Sequence, residues 1–354
     1  MAPTASSLPD APGPLWRLAS TATMGFTAVL CKAFLYGFNE VEAQGLDNFL
    51  RILHERKGGG RKRGLVTASN HVSVLDDPLM WGVLPLRYSF DPWSLRWGLG
   101  AHDICFKNSF TATFFSLGQV LPTYRLKHSP HGGINQPTIT EAIHLLSGSP
   151  STPSRPPTTT SPSFPVTSPA NPSWPPPHPH SHLSWVHVFP EGCVHQHPAS
   201  SLRYFKWGIS RLILESTPTP AFLPIFIDGT QHVMPEDRTF PRFLPRIRKR
   251  IRVVFGEEVD VREVFGDQID RWNEIKHRVQ GEPGKDADLD AWKEAVGIRI
   301  EVARRAREEV LKVRRGLGYP DDDESLGRAE TWARNQHRPS RNATVEGNHV
   351  SSKR

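Results

Sequence analysis

"SNHVSVLDDP", Ser69–Pro78, sets one histidine and two aspartates between two apolar runs. The run before it, Leu65–Ala68, has the length and side chains of a short strand. Asp77-Pro78 carries the residues that open helices, with Asp77 as N-cap and Pro78 at the first helical position. His71 and Asp76 are five residues apart, a spacing that on a regular helix turns them about 140° from one another. The strand and the helix start resolve this. His71 belongs to the turn between them, and the chain folds back so that Asp76 can accept from one imidazole nitrogen. The other nitrogen is left to take a proton. That is the base and orienter of a serine hydrolase without the serine, so the alcohol has to come from the substrate.

Outward from this turn, apolar strand-like runs alternate with helical ones. The fold class is therefore α/β, a central mixed sheet flanked by helices. "HDICFKNSFTATFFSLGQVLPTYR" reads as a helix and then a strand over 119–122, ending in Arg125. "LSWVHVFPEG" is a strand over 185–189 that runs into a glycine turn, "FKWGISRLILES" a helix, and "AFLPIFIDG" a second apolar strand. Between Arg246 and Phe255, arginines alternate with Ile247, Ile251, Val253 and Phe255, which predicts an edge or half-exposed strand with Arg246, Arg248, Arg250 and Arg252 on one face. The expected divisions are a loose N-terminus (1–14), a membrane-associating helix (15–41), and a core in two parts (42–148 and 183–262). A Pro, Ser and Thr-rich block (149–182) separates the two parts as a disordered insertion. A charged helical region (263–317) and a disordered tail (318–354) complete the chain.

Composition narrows the partners. Of 354 residues 37% are hydrophobic, and the mean hydropathy is −0.43, which excludes a polytopic membrane protein. The net charge of +7 points to an anionic partner, nucleic acid or an acidic lipid surface, which composition does not separate; nucleic acid has net charge as its sole argument and is not expected. Three scattered cysteines, Cys31, Cys105 and Cys193, give neither a disulfide framework nor a zinc pattern. Leu18–Phe38 is apolar over about a membrane-spanning length, but Lys32 interrupts it. It reads as a monotopic helix that dips into one leaflet and snorkels Lys32 to the headgroups, with a buried helix of the core and a true span as the alternatives. Leu212–Leu214 and Ala221–Ile227 fit core packing better than lipid contact.

A second motif, "FPEG" at Phe189–Gly192, ends a strand where Pro190 blocks further pairing and Gly192 lets the backbone turn. Glu191 is thereby offered at a loop to a glycerol hydroxyl or a cation, and Arg203 and Lys206 follow as charges for a phosphate. The absence of G-x-S-x-G and H-E-x-x-H argues against ordinary lipases and zinc proteases. His178, His180, His182, His195 and His197 lack a fixed partner spacing, so no metal is expected.

"NHVSVLDDP" followed by "FPEG" resembles the glycerolipid acyltransferases with the His-x4-Asp signature. The likeness extends through "HDICF", "FFSLG", "WVHVFPEG", "RYFKWGISRLILES", "LPIFIDG" and "FPRF", from Phe26 to Val259 apart from the Pro-rich block. Within that family the chain looks closest to the mitochondrial phospholipid–lysophospholipid transacylases. The resemblance implies His71 as general base, Asp76 as its orienter, and Glu191 and Gly192 in a glycerophosphate-binding loop. It implies Arg125 as a phosphate contact in the block that starts at Gly118. Here "GQVLPTYR" is one residue longer than the family form, and Cys193 stands where a basic residue is usual. The implied reaction is coenzyme A-independent acyl exchange between phospholipids, remodelling cardiolipin from monolysocardiolipin, with no cofactor. The implied place is a mitochondrial membrane facing the intermembrane space. A coenzyme A-dependent lysophospholipid acyltransferase and a non-catalytic lipid-binding protein are the alternatives.

Overall fold

The structure is a computed structural model that describes residues 14–57, 60–91, 94–125, 129, 132–148, 183–280 and 292–335. The expected insertion at 149–182, and most of the expected loose ends, lie outside the described residues.

The first helix, α1 (Pro14–Phe38), begins on a proline whose missing N–H is no loss in a first turn. Its side chains sort by face: Ser20, Met24, Cys31 and Leu35 are buried, while Leu15, Leu18, Phe26, Leu30 and Tyr36 are exposed. Among the described residues it is the one helix long and apolar enough to cross a membrane. Lys32 does not snorkel outward. Its ammonium donates to the carbonyls of Gly82 (3.1 Å) and Leu84 (3.2 Å), just past the helix that ends at Trp81, and so ties α1 to the body beneath it.

After α1 come β1 (Glu40–Gln44), α2 (Leu46–Glu55), β2 (Leu65–Ser69), α3 (Asp76–Trp81) and α4 (Leu86–Ser89). Next are β3 (Gly98–Ala101), α5 (His102–Cys105), α6 (Ser109–Leu117), β4 (Val120–Thr123) and α7 (Pro137–Leu146). The second half holds β5 (Trp185–Val188), α8 (Gly208–Glu215), β6 (Ala221–Asp228), α9 (Thr230–Val233) and β7 (Arg250–Phe255). It closes with α10 (Val261–Gln280), α11 (Lys293–Gly316), a 3-10 turn at Glu324–Gly327, and α12 (Ala329–Asn335).

Five strands form one mixed sheet in the order β1-β7-β6-β2-β5. β2 runs parallel to both β5 and β6, and β7 is antiparallel to β6. The parallel pair β3-β4 extends the sheet past β5, because Trp97 donates to the Trp185 carbonyl and accepts from the His187 N–H, both at 2.8 Å. The carboxyl ends of β2, β3, β4, β5 and β6 therefore open on one side, where α/β sheets bind their ligands. Alternation along the strands divides the core. Val66, Ala68, Val186, Phe222 and Phe226 pack under α7, α8, α10 and α11, whereas Leu65, Trp185, Leu223, Ile225 and Ile251 pack under α1, α2 and α3. Leu212–Leu214 and Ala221–Ile227 are buried in these layers.

Three expectations change. β7 is not an edge strand, because the short polar β1 covers it in parallel register from Glu40–Arg250 to Gln44–Val254. Regular pairing starts at Arg250, since Arg248 has φ +57°. Arg250 and Arg252 are engaged with Glu42 (3.0 Å) and Asp228 (2.6 Å), so no four-arginine face exists. The charged C-terminal helices are not a separate region: Phe265, Trp272, Val302 and Val310 bury one layer of the core. Nor is the expected tail loose over 318–335. The Asp322 side chain, 2% exposed, is held by Arg307 (2.8 Å) and Arg314 (3.2 Å).

Candidate active site

β2 stops at Ser69 because the next residue replaces the ladder with a side chain. Asn70 donates to the Ile227 carbonyl (2.8 Å) and accepts from the Ile227 N–H (2.7 Å), copying a rung of the sheet. The backbone is thereby released into a turn at the carboxyl edge, and His71 leads it.

Asp76 closes that turn. Its Oδ2 accepts from the Val72 N–H (2.6 Å), the Ser73 N–H (2.7 Å) and His71 Nδ1 (2.9 Å). Asp76 is the first residue of α3 and Leu75 the N-cap, so the helix starts earlier than the Asp77-Pro78 signal suggested. Asp77 sits inside the first turn, where Arg96 and the Trp81 indole donate to it. A carboxylate only accepts, so His71 Nδ1 carries the proton of this pair. The structure thus brings His71 and Asp76 together by way of the turn. Asp76 is fully buried, while the His71 side chain keeps 21% of its surface open. Phe189 stacks on the imidazole at 4.3 Å between ring centres. Nε2 has no hydrogen-bond partner among the described residues.

A residue absent from the sequence reading completes the carboxylate. Thr230, fully buried at the start of α9, donates its hydroxyl to Asp76 Oδ1 at 2.5 Å. No local pattern announces it, because 154 residues separate the partners. Gln196 was missed for the same reason. Its amide donates to the carbonyls of Val72 (2.8 Å) and Met234 (3.0 Å) and accepts from the Glu236 N–H (2.9 Å).

The FPEG turn lies against the same loop but differs in role from the expectation. Glu191 is 1% exposed, and its two oxygens accept from the backbone N–H groups of His71 (2.9 Å) and Arg203 (2.8 Å). It fixes the histidine from behind and presents nothing to a substrate. Burial pushes its carboxyl up to about 7, against the pull of those two N–H donors. Arg203 is also withdrawn: it is 5% exposed, turned onto Cys193, and covered by the Trp332 ring at 4.5 Å. Lys206 is the exposed cation of this segment. It lies across Gly192, where φ is +68° and a Cβ would stand 2.7 Å from the ammonium nitrogen. Arg125, after β4, reaches the same edge of the sheet and is ion-paired with Asp103 of α5.

Two buried histidines flank the site. His187 bonds Thr67 Oγ1 (2.8 Å), and burial pushes its imidazole down to about 3. His195 donates its backbone N–H to the His71 carbonyl (2.7 Å), and burial with the nearby Arg203 charge also pushes its ring down to about 3. Both are neutral spacers at working pH. No group of three or more His, Cys, Asp or Glu side chains among the described residues is placed to hold a metal ion. The arrangement offers one imidazole nitrogen, oriented from behind and stacked on one face, to an external hydroxyl.

No family model matches the sequence. Whole proteins do. The chain is 36% identical to the tafazzin of Saccharomyces cerevisiae over 341 residues, 91% of this chain and 84% of that protein. It is 32% identical to the taffazin of Dictyostelium discoideum, over 74% of this chain and 76% of that one. N-acylphosphatidylethanolamine synthase of Arabidopsis thaliana is also 32% identical, over 68% of this chain and 70% of its own length.

Proposed function

The chain belongs to the tafazzin family and is an acyltransferase, and from that premise we propose that it moves acyl chains from phospholipids to lysophospholipids without coenzyme A. His71 Nε2 takes the proton from the free glycerol hydroxyl of the lysolipid as that oxygen attacks the donor's ester carbonyl. The tetrahedral adduct collapses, the bond to the donor's glycerol oxygen breaks, and the imidazolium returns the proton to that oxygen. Asp76 holds the ring in one tautomer and stabilises its charge throughout. One ester is exchanged for another with no proton or electron left over. The step is therefore close to thermoneutral and runs in both directions.

The acceptor is monolysocardiolipin and a donor is phosphatidylcholine, so that cardiolipin is remodelled toward the acyl composition the membrane favours. Lys206, exposed over the Gly192 turn, contacts a substrate phosphate, and Arg125 adds a second contact from the end of β4. Glu191 and Thr230 act as positioning residues. The exposed apolar face of α1 seats the protein as a monotopic enzyme on a mitochondrial membrane, facing the intermembrane space. The His71–Asp76 hydrogen bond carries the reading, since it leaves the second imidazole nitrogen to a substrate.

The test uses radiolabelled phosphatidylcholine and monolysocardiolipin with no thioester present. Labelled cardiolipin is the expected product. Label transfer only from an acyl-coenzyme A would replace this reading with the thioester-dependent one, and no transfer from either donor would leave a lipid-binding protein.

A further inference from the structure

The arginines expected on an edge strand stand instead in the loop that leads to it. Phe240–Lys249, "FPRFLPRIRK", joins α9 to β7 and holds four basic residues and no acidic one. Its apolar side chains point into solvent: Phe240 is 88% exposed and Phe243 77%, with Leu244 and Ile247 exposed as well. The guanidinium groups of Arg242 and Arg246 donate to the carbonyls of Glu236 and Thr239. Among the described residues no carboxylate pairs with Arg242, Arg246, Arg248 or Lys249. Aromatic and cationic residues interleaved in one exposed stretch match a bilayer interface, where rings enter the headgroup boundary and cations meet lipid phosphates.

The loop is held in this form. The Arg246 N–H donates to the Val233 carbonyl (2.8 Å), and Leu244 closes a turn on Pro241. Pro241 and Pro245 keep the stretch out of the sheet. Its far end is tied to α1, since the Arg248 N–H donates to the Phe38 carbonyl (2.8 Å) and the Lys249 N–H to Asn39 Oδ1 (3.0 Å). The exposed Tyr36 and Phe38 of α1 thus continue into Ile247 and the loop's aromatic residues. Gln196 links the segment feeding this loop to the Val72 carbonyl, beside His71.

We propose that Phe240–Lys249 is a second membrane-seating element, which with α1 docks the protein on an anionic bilayer at the side of the His71 turn. It deepens the proposed function and rests on that reading in taking a lipid surface as the partner. α1 supplies mainly apolar contact, with Arg17 as its one exposed cation. The loop adds the preference for anionic lipid and a second point of attachment, which fixes the protein's rotation about α1.

The experiment measures partition of the full chain onto vesicles of phosphatidylcholine alone and of phosphatidylcholine with phosphatidylglycerol. Phe240→Ser with Phe243→Ser should lower partition about tenfold or more on both. Arg242→Gln with Arg248→Gln should weaken binding about fivefold per residue on the anionic vesicles alone. All four side chains are exposed, so thermal melting of the variants should match the parent. Parent-like partition of the serine variant, or equal loss by the glutamine variant on both vesicles, overturns the proposal; the first would assign the loop to a protein partner. Partition is read without turnover, so a failure of acyl exchange strikes the proposed reaction and not this surface.

Discussion

Thr230 donates its hydroxyl to Asp76 Oδ1 at 2.5 Å, while the other carboxylate oxygen gathers the His71 imidazole and two backbone N–H groups. The carboxylate is therefore clamped from two elements, the turn after β2 and the start of α9. Thr230→Val should lower kcat about tenfold or more, as expected for losing a hydrogen bond to a charged group. Thr230→Ser should restore most of the rate. A valine variant with parent kcat would show that the turn alone orients Asp76.

The buried ionisable groups make stability depend on pH in a defined direction. His187 and His195 have folded values near 3, below the 6.5 of an exposed imidazole, so the unfolded chain binds protons first as pH falls. Each histidine's contribution is complete above 6.5 and is lost toward 3. Glu191 acts oppositely: its folded value near 7 exceeds the ordinary 4.5, so its contribution falls as pH rises between them. Two histidines outweigh one carboxyl, and the urea midpoint should climb from pH 4.5 to 6.5. Glu191→Gln should steepen that climb and His195→Phe should flatten it. A midpoint that falls with pH across this window would contradict the burial described for the pair.

Lys206 and Arg203 follow the same motif and should behave differently. Lys206→Ala, at the surface, should raise KM for the lysolipid about fivefold with little change in kcat. Arg203→Ala, inside the fold, should lower Tm by about 4 °C or more. Reversed results would restore Arg203 as the phosphate contact.

Much of this fold was legible because its parts carry local signals. β2, β5 and β6 are apolar runs bounded by turn residues, and the His71–Asp76 spacing makes sense only in a turn. β3, "GLGA", has no strand preference and exists through its parallel pairing with β4, next to the backbone bonds that the preceding Trp97 makes to β5. The edge position of β7 failed for a tertiary reason: period-two alternation reports which side chains are half-exposed, and cannot report that Glu40–Gln44 pairs alongside. Glu191 and Arg203 have the chemistry of substrate ligands, yet burial turns both inward. Asp77 next to proline carries a strong N-cap signal, which the hydrogen bonds collected by Asp76 override.

The central claim is that the His71 imidazole deprotonates a lipid alcohol. The direct measurement is thioester-free acyl exchange by His71→Ala beside the parent, on the same vesicles and at matched membrane binding. Removing a positioned base should cut the rate about 10²–10⁴-fold while the protein stays folded and bound. Exchange at the parent rate would take His71 out of the mechanism and contradict the account.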